Sequence, residues 1–205
     1  MKTLKEITVP DERQTLFLGN LHDLHMELST INLDINVPAN VRELFETAKN
    51  VSLYSWFVYD FHPIAELAGF LALEAALRAR ASQESGTVAK KPLRFLMRHA
   101  VSAAWLSEER ITDRREIARA RVAQRKAMQA IEHSKASGRD SVPVEEPTET
   151  EISAEASEMR IIEGMSEAAI NLRNSLAHGE RMLVPGSHRR LRITADLINQ
   201  LFVTP

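Results

Sequence analysis

Apolar residues recur at helical spacing along most of this chain, and little interrupts them. The clearest run is Ile161, Met165, Ala168, Leu172 and Leu176, with Ile162 and Ala169 beside it. Such spacing puts one apolar face on a helix of about 3.6 residues per turn. Similar stripes occupy Val41–Ala48, Ile64–Leu77, Leu93–Trp105 and Leu191–Leu201. Glycine and proline number only 7 and 8 in 205 residues, so few turn signals cut across them. That balance predicts an all-α protein. The expected architecture is an up-and-down helical bundle over residues 39–205, with a long charged helical excursion and a short N-terminal arm over residues 1–38. The length is enough for one well-buried domain with an appendage.

Taken in order, the arm combines a helical spacing (Leu21, Leu24, Leu28) with an alternating stretch (Ile31, Leu33, Ile35, Val37) that reads as a short strand or extended segment closed by Pro38. Pro38 and Asn40 are start signals for a first helix through Ala48. Tyr54–Phe61, YSWFVYDF, is the densest aromatic cluster. Aromatic faces stack on bases in single-stranded RNA sites, but no basic residues interleave here, so the cluster reads as core. Pro63 restarts or kinks the helix that runs to Ser82. A loop over Gln83–Lys91 precedes a helix opened by Pro92, whose stripe extends to Ala104 and Trp105, with His99 facing solvent.

Residues 107–137 are crowded with charge and read as a long helix with one thin apolar face. Arg114, Arg115, Arg119, Arg121, Arg125 and Lys126 bias its middle positive and suit an RNA backbone, or simply a solvated face. Residues 138–151, with two prolines and an acidic bias, read as a mobile linker that could fold back on the basic helix. One last core helix is expected over Ser153–Ala177 and a final one over His188–Phe202.

Several chemistries are excluded or disfavoured. The chain has no cysteine, so disulfides, thiolate metal sites and thiol nucleophiles are out. The absence of staples suits a reducing interior, and a cytoplasmic location is expected. The N-terminus lacks the shape of a signal peptide. The greasiest run, Ile64–Leu77, is broken by Glu66 and Glu74, so no membrane partner is expected. His22, His25 and Glu27 have a metal-like spacing, but no third and fourth ligand is in view, and they read as a polar helix face. No cofactor or metal is expected. The net charge of −2 neither advertises nor excludes nucleic acid.

What remains distinctive is the polar end of Ile161–Glu180. Asn174 and His178 are four apart and share a face, while Arg173 can swing its long stem toward the same end. Gly179 fits the left-handed position just past a helix terminus. Histidine as a residue type exchanges protons near neutral pH, and arginine presents a permanent planar cation suited to phosphate. A proton-transfer group beside a fixed cation is what metal-independent cleavage of an RNA phosphodiester requires. The same pair could also do no more than close a helix end. Glu74, four residues before Arg78, is a candidate to touch or orient Arg173 or His178. Arg181, Arg189 and Arg190 lie close in sequence and are candidates to hold RNA backbone.

With these residues in place, the chain resembles the HEPN family (higher eukaryotes and prokaryotes nucleotide-binding domain). The resemblance rests on Arg173-Asn174-Ser175-Leu176-Ala177-His178-Gly179, an Arg-x4-His with Asn after the Arg, and on the amphipathic stretch Phe70–Arg80. It covers mainly residues 39–80 and 155–202. It implies a helical bundle that dimerises and acts as a metal-independent endoribonuclease, as a toxin or phage-defence effector. Arg173 and His178 would be the catalytic pair, Asn174 their orienting neighbour, and an antitoxin or regulatory protein a further partner. In one subgroup a tyrosine stands two residues after the His; here that residue is Glu180. Some relatives are non-catalytic modules that bind RNA, nucleotide or a partner protein.

Overall fold

A computed structural model describes residues 2–14, 19–138, 143–180 and 185–203. Every regular element among them is helical: α1 (Leu21–Ser29), α2 (Ala39–Tyr54), α3 (Phe61–Glu84), the single turn α4 (Gly86–Ala89), α5 (Leu93–Ser102), α6 (Arg114–Ser137), α7 (Glu149–Glu158), α8 (Ile161–Ala177) and α9 (Ser187–Phe202), with a 3-10 turn at Glu108–Arg110. The fold is all-α, and none of these helices is long and apolar enough to cross a membrane. The chain forms two compact units, one of residues 1–110 and 162–205, the other of residues 111–161.

The larger unit is organised on α3, which packs against α2 and α9. Val41, Phe45 and Ala48 of α2, Leu73, Ala76 and Leu77 of α3, and Leu191, Leu197 and Ile198 of α9 are all buried. Removing such side chains from water is the main favourable contribution to the fold. Pro63 is the third residue of α3, where the missing N–H would have had no intrahelical acceptor. Gly69 lets α9 approach closely: a Cβ there would lie 2.6 Å from Leu191 Cδ2. That approach offsets the helix propensity a mid-helix glycine forgoes. The aromatic cluster divides, with Trp56 and Tyr59 buried but Tyr54 and Phe61 exposed.

Among the described residues before α2 the α-helix is α1, and the alternating stretch after it forms no strand. Ile31 and Val37 are buried while Ile35 is 75% exposed. This stretch is tied to α9: Asn199 accepts from the Asp34 N–H (2.8 Å) and donates to the Asn32 carbonyl (3.1 Å).

Two helices are bounded otherwise than the sequence pattern predicts. The helix opened by Pro92 stops at Ser102, because Ala104 turns into the left-handed region (φ 57°) and carries Trp105 off the helix. His99 is correspondingly not solvated. It lies 2.7 Å from a Glu84 carboxylate oxygen, stacks on Phe95 and meets Trp105 edge-on at 5.0 Å. The expected single helix over Ser153–Ala177 is two, since α7 ends in an extended Met159 (ψ 136°).

In the smaller unit, Thr148 and Glu151 form a reciprocal capping box that starts α7. Residues 139–142 of the expected linker lie outside the described residues, and residues 149–151 are helical. The acidic stretch does lie against the basic helix. Lys126 contacts Glu151 (2.9 Å) and Glu145 (3.7 Å), Arg119 contacts Glu149 (3.1 Å), and Arg125 and Arg121 share Glu155 (2.8 and 3.7 Å). Arg115 also pairs with Glu149, and Arg114 donates to the Ala156 carbonyl at 2.8 Å. The positive stripe of α6 is thus largely matched within its own unit.

Candidate functional site

The polar end of α8 is set by the helix itself. Ile162, Met165, Ala169 and Leu172 are buried and fix which face points inward, leaving Arg173 and Asn174 exposed. At the N-terminus the Ile162 N–H donates to a Glu108 carboxylate oxygen (2.9 Å), satisfying one of the first-turn donors. At the other end the helix closes through Gly179 at φ 72°. There the N–H groups of His178, Gly179 and Glu180 donate to the carbonyls of Asn174 (2.9 Å), Leu176 (3.2 Å) and Ser175 (2.9 Å). This is the glycine-terminated cap expected from the sequence, and it puts His178 one residue beyond the helix. His178 is exposed, and its imidazole makes no hydrogen bond to another described residue.

Arg173 is held from α3. Glu74 accepts Arg173 Nη2 on one carboxylate oxygen (3.1 Å) and Arg78 Nη2 on the other (2.6 Å). The Glu74 side chain is only 16% exposed and that of Arg173 57%. One half-buried carboxylate therefore spans two cations and fixes the direction of the more exposed one. The expected contact of Glu74 with Arg173 is present.

The three arginines proposed to hold RNA backbone fare differently. Arg181 lies outside the described residues, and Arg189 is exposed. Arg190 is committed to the body, with its Nε 3.1 Å from a carboxylate oxygen of Glu66, which is 6% exposed. Burial raises the Glu66 pKa, and Arg190 opposes that rise. A carboxylate so placed needs its arginine, and releasing Arg190 would strand it.

Sequence reasoning missed a buried polar cluster. The His62 Nδ1 lies 2.8 Å from Ser187 Oγ, which lies 2.7 Å from Ser52 Oγ. The Gln14 amide nitrogen donates to the Ser55 carbonyl (2.6 Å) and faces His62 Nε2 at 2.9 Å. With Nε2 accepting, Nδ1–H is left to donate to Ser187. Burial, with a contribution from His188, lowers the His62 pKa to about 4. A serine touching a histidine has the form of an activated nucleophile. Both residues are fully buried, however, so this pair ties α3 to α9 and offers no surface to a substrate. Its partners lie far apart in the chain, and no local pattern announces them.

His188, also buried, sits with Nε2 3.0 Å from a Glu27 carboxylate oxygen. Burial first, then the Arg189 and Arg192 cations, lower its pKa to about 4, outweighing the half-exposed Glu27. The metal-like trio is thereby split, since Glu27 turns to His188 while His22 and His25 face solvent. Among the described residues no group of three or more histidine and carboxylate side chains is placed to hold a metal ion.

No family model matches the chain, and no curated protein or solved structure matches it either.

Proposed function

We propose that this protein is a metal-independent endoribonuclease of HEPN type, acting as a homodimer. What supports the reading is the carboxylate of Glu74 bridging Arg78 and Arg173, beside an exposed helix end that carries Asn174 and His178. His178 takes the proton of a ribose 2′-hydroxyl or returns one to the leaving oxygen. Arg173, aimed by Glu74, stabilises the charge that grows on the phosphate oxygens in the transition state. Asn174 orients the phosphate or the imidazole. A second copy brings its own Arg173 and His178 to the same strand, and an antitoxin or regulatory protein that covers this end would silence it. The products carry a 2′,3′-cyclic phosphate.

A second reading is a non-catalytic module that binds RNA, nucleotide or a partner protein through the same end. The Arg173–Glu74 ion pair favours it, because it offsets part of the positive charge a phosphate would meet.

Labelled RNA incubated with the protein in excess chelator separates the two. Cleavage that persists with chelator and falls by about 100-fold or more in Arg173→Ala and His178→Ala supports the nuclease. Retained RNA binding with no cleavage above buffer, in the unaltered chain, supports the module. Loss of helical signal in both variants, with neither cleavage nor binding in the parent, sinks both readings.

A further inference from the structure

A cleft of about 580 Å³ is formed by the last turns of α3 and α9 and the loop after α5. Its volume falls in the range of small-molecule sites, roughly 300–1,000 Å³. It shares no residue with the Glu74–Arg173 cluster. Arg80, Trp105, Arg110 and Gln200 supply its polar wall, and Leu201 and Phe202 an apolar one.

The two arginines differ from several others in the body. Arg13, Arg78, Arg173 and Arg190 each face a carboxylate. Arg80 instead reaches the Gln83 side-chain oxygen (3.2 Å), with its guanidinium carbon 4.6 Å from the Trp105 ring centre. Arg110 donates to the carbonyls of Trp105 (2.6 Å) and Ala104 (3.4 Å). Among the described residues neither forms an ion pair. Two permanent cations thus line one cleft with no counter-charge among the described residues, each held by neutral acceptors that leave donors of its fork uncommitted.

The wall that carries them is fixed at a cost. Ala104 sits at φ 57°, a conformation that disfavours any side chain, and it is the only non-glycine among the described residues to do so. That turn presents the Ala104 and Trp105 carbonyls to Arg110 and sets the indole against His99 and Arg80. Gln200, 8% exposed, accepts the Ser107 N–H (2.9 Å) with its oxygen, while its amide nitrogen has no partner among the described residues. Buried donors are ordinarily paired, so strain and an orphan donor coincide in one wall.

We propose that this cleft binds a small organic anion, with a phosphate or carboxylate head between Arg80 and Arg110 and a flat or apolar body along Trp105 and Phe202. Both head groups offer the paired oxygens that a guanidinium fork engages.

Calorimetric titration of the full chain tests this with phenyl phosphate, benzoate, inorganic phosphate and phenol. Phenyl phosphate or benzoate binds saturably with a Kd of about 1 mM or tighter, and phenol does not. Tighter binding of phenyl phosphate assigns a phosphate head, and tighter binding of benzoate a carboxylate head. Inorganic phosphate binds more weakly than phenyl phosphate because it lacks the body. Affinity falls about tenfold or more in Arg80→Gln, and likewise in Arg110→Gln where that variant keeps its helical circular dichroism. Arg94→Gln, at an exposed arginine of α5 outside the cleft, leaves it unchanged. Absence of saturable binding by both phenyl phosphate and benzoate, or undiminished affinity in a folded Arg80→Gln, overturns the proposal. So does an equal loss in Arg94→Gln.

Discussion

Helices α3 and α6 are both 24 residues long, yet α3 buries 11 of them and α6 buries two, Ala118 and Val122. The first is held by apolar area on several sides, with a small hydrogen-bonded cluster at its start. The second is matched to α7 largely by arginine–glutamate pairs whose side chains are mostly half or more exposed. Equal length and equal helicity therefore conceal different physics. Burial resists salt and responds to volume, whereas exposed ion pairs are weak, additive at best and screened.

The largest expected effect lies in the apolar region. Phe45 is fully buried, and Phe45→Ala should cost about 3–5 kcal/mol in the larger unit, measured by urea unfolding followed at helical wavelengths. A loss below about 1 kcal/mol would erase the contrast between the two regions.

An intermediate effect should appear on acidification. His62 and His188 have folded pKa values lowered from 6.5 to about 4 by burial, so the unfolded chain takes up protons first. The stability they lend is intact above pH 6.5 and is lost as pH falls toward 4. The slope is up to about 1.4 kcal/mol per pH unit for each histidine. The α6–α7 glutamates answer later. The Thr148 cap and then Lys126 lower Glu151 from 4.5 to about 2, and Arg125 lowers Glu155, so their contribution is lost only below pH 4.5. Unfolding curves at pH 7, 5.5 and 4.5 should show the larger unit weakening before the α6–α7 pair. The opposite order would assign the acid sensitivity to the charged unit.

The smallest effect belongs to the ion pairs. Glu155→Gln removes the partner of Arg121 and Arg125 and should loosen α7 by about 0.5 kcal/mol. Amide exchange read along α7 should quicken to that extent in dilute salt, and much less in 1 M salt where the parent pair is already screened. Amides of α3 should not change.

How much of this was legible depends on how local each signal is. The stripes Val41–Phe45–Ala48 and Leu191–Ile198–Leu201 are periodic within single helices, so the all-α fold was readable. The end of α8 was readable for the same reason, since Gly179 alone fixes the cap. The break at Met159 was not, because methionine suits a helix interior and no glycine or proline marks the place. Ala104 was equally silent, as alanine is the last residue expected in a left-handed turn. The candidate site was half legible. Arg173, Asn174 and His178 lie within one heptad-length window, and Glu74 was found because a carboxylate in an apolar run needs a partner. Glu66 carries the same signal, and its claim on Arg190 could have been anticipated from it. The Ser187–His62 contact and the Arg80–Trp105–Arg110 cleft join distant segments with no shared pattern, and only the fold brings them together.

The larger unit is also interrupted in sequence, since residues 111–161 are inserted into it. Its last helix, α9, supplies Leu191, Leu197 and Ile198 to the core and clasps Asn32 and Asp34 near the chain's beginning. During synthesis on a ribosome, α2 and α3 must therefore wait with their inner faces uncovered until α9 has emerged. Any trigger that frays α9 would return the molecule to that half-made condition.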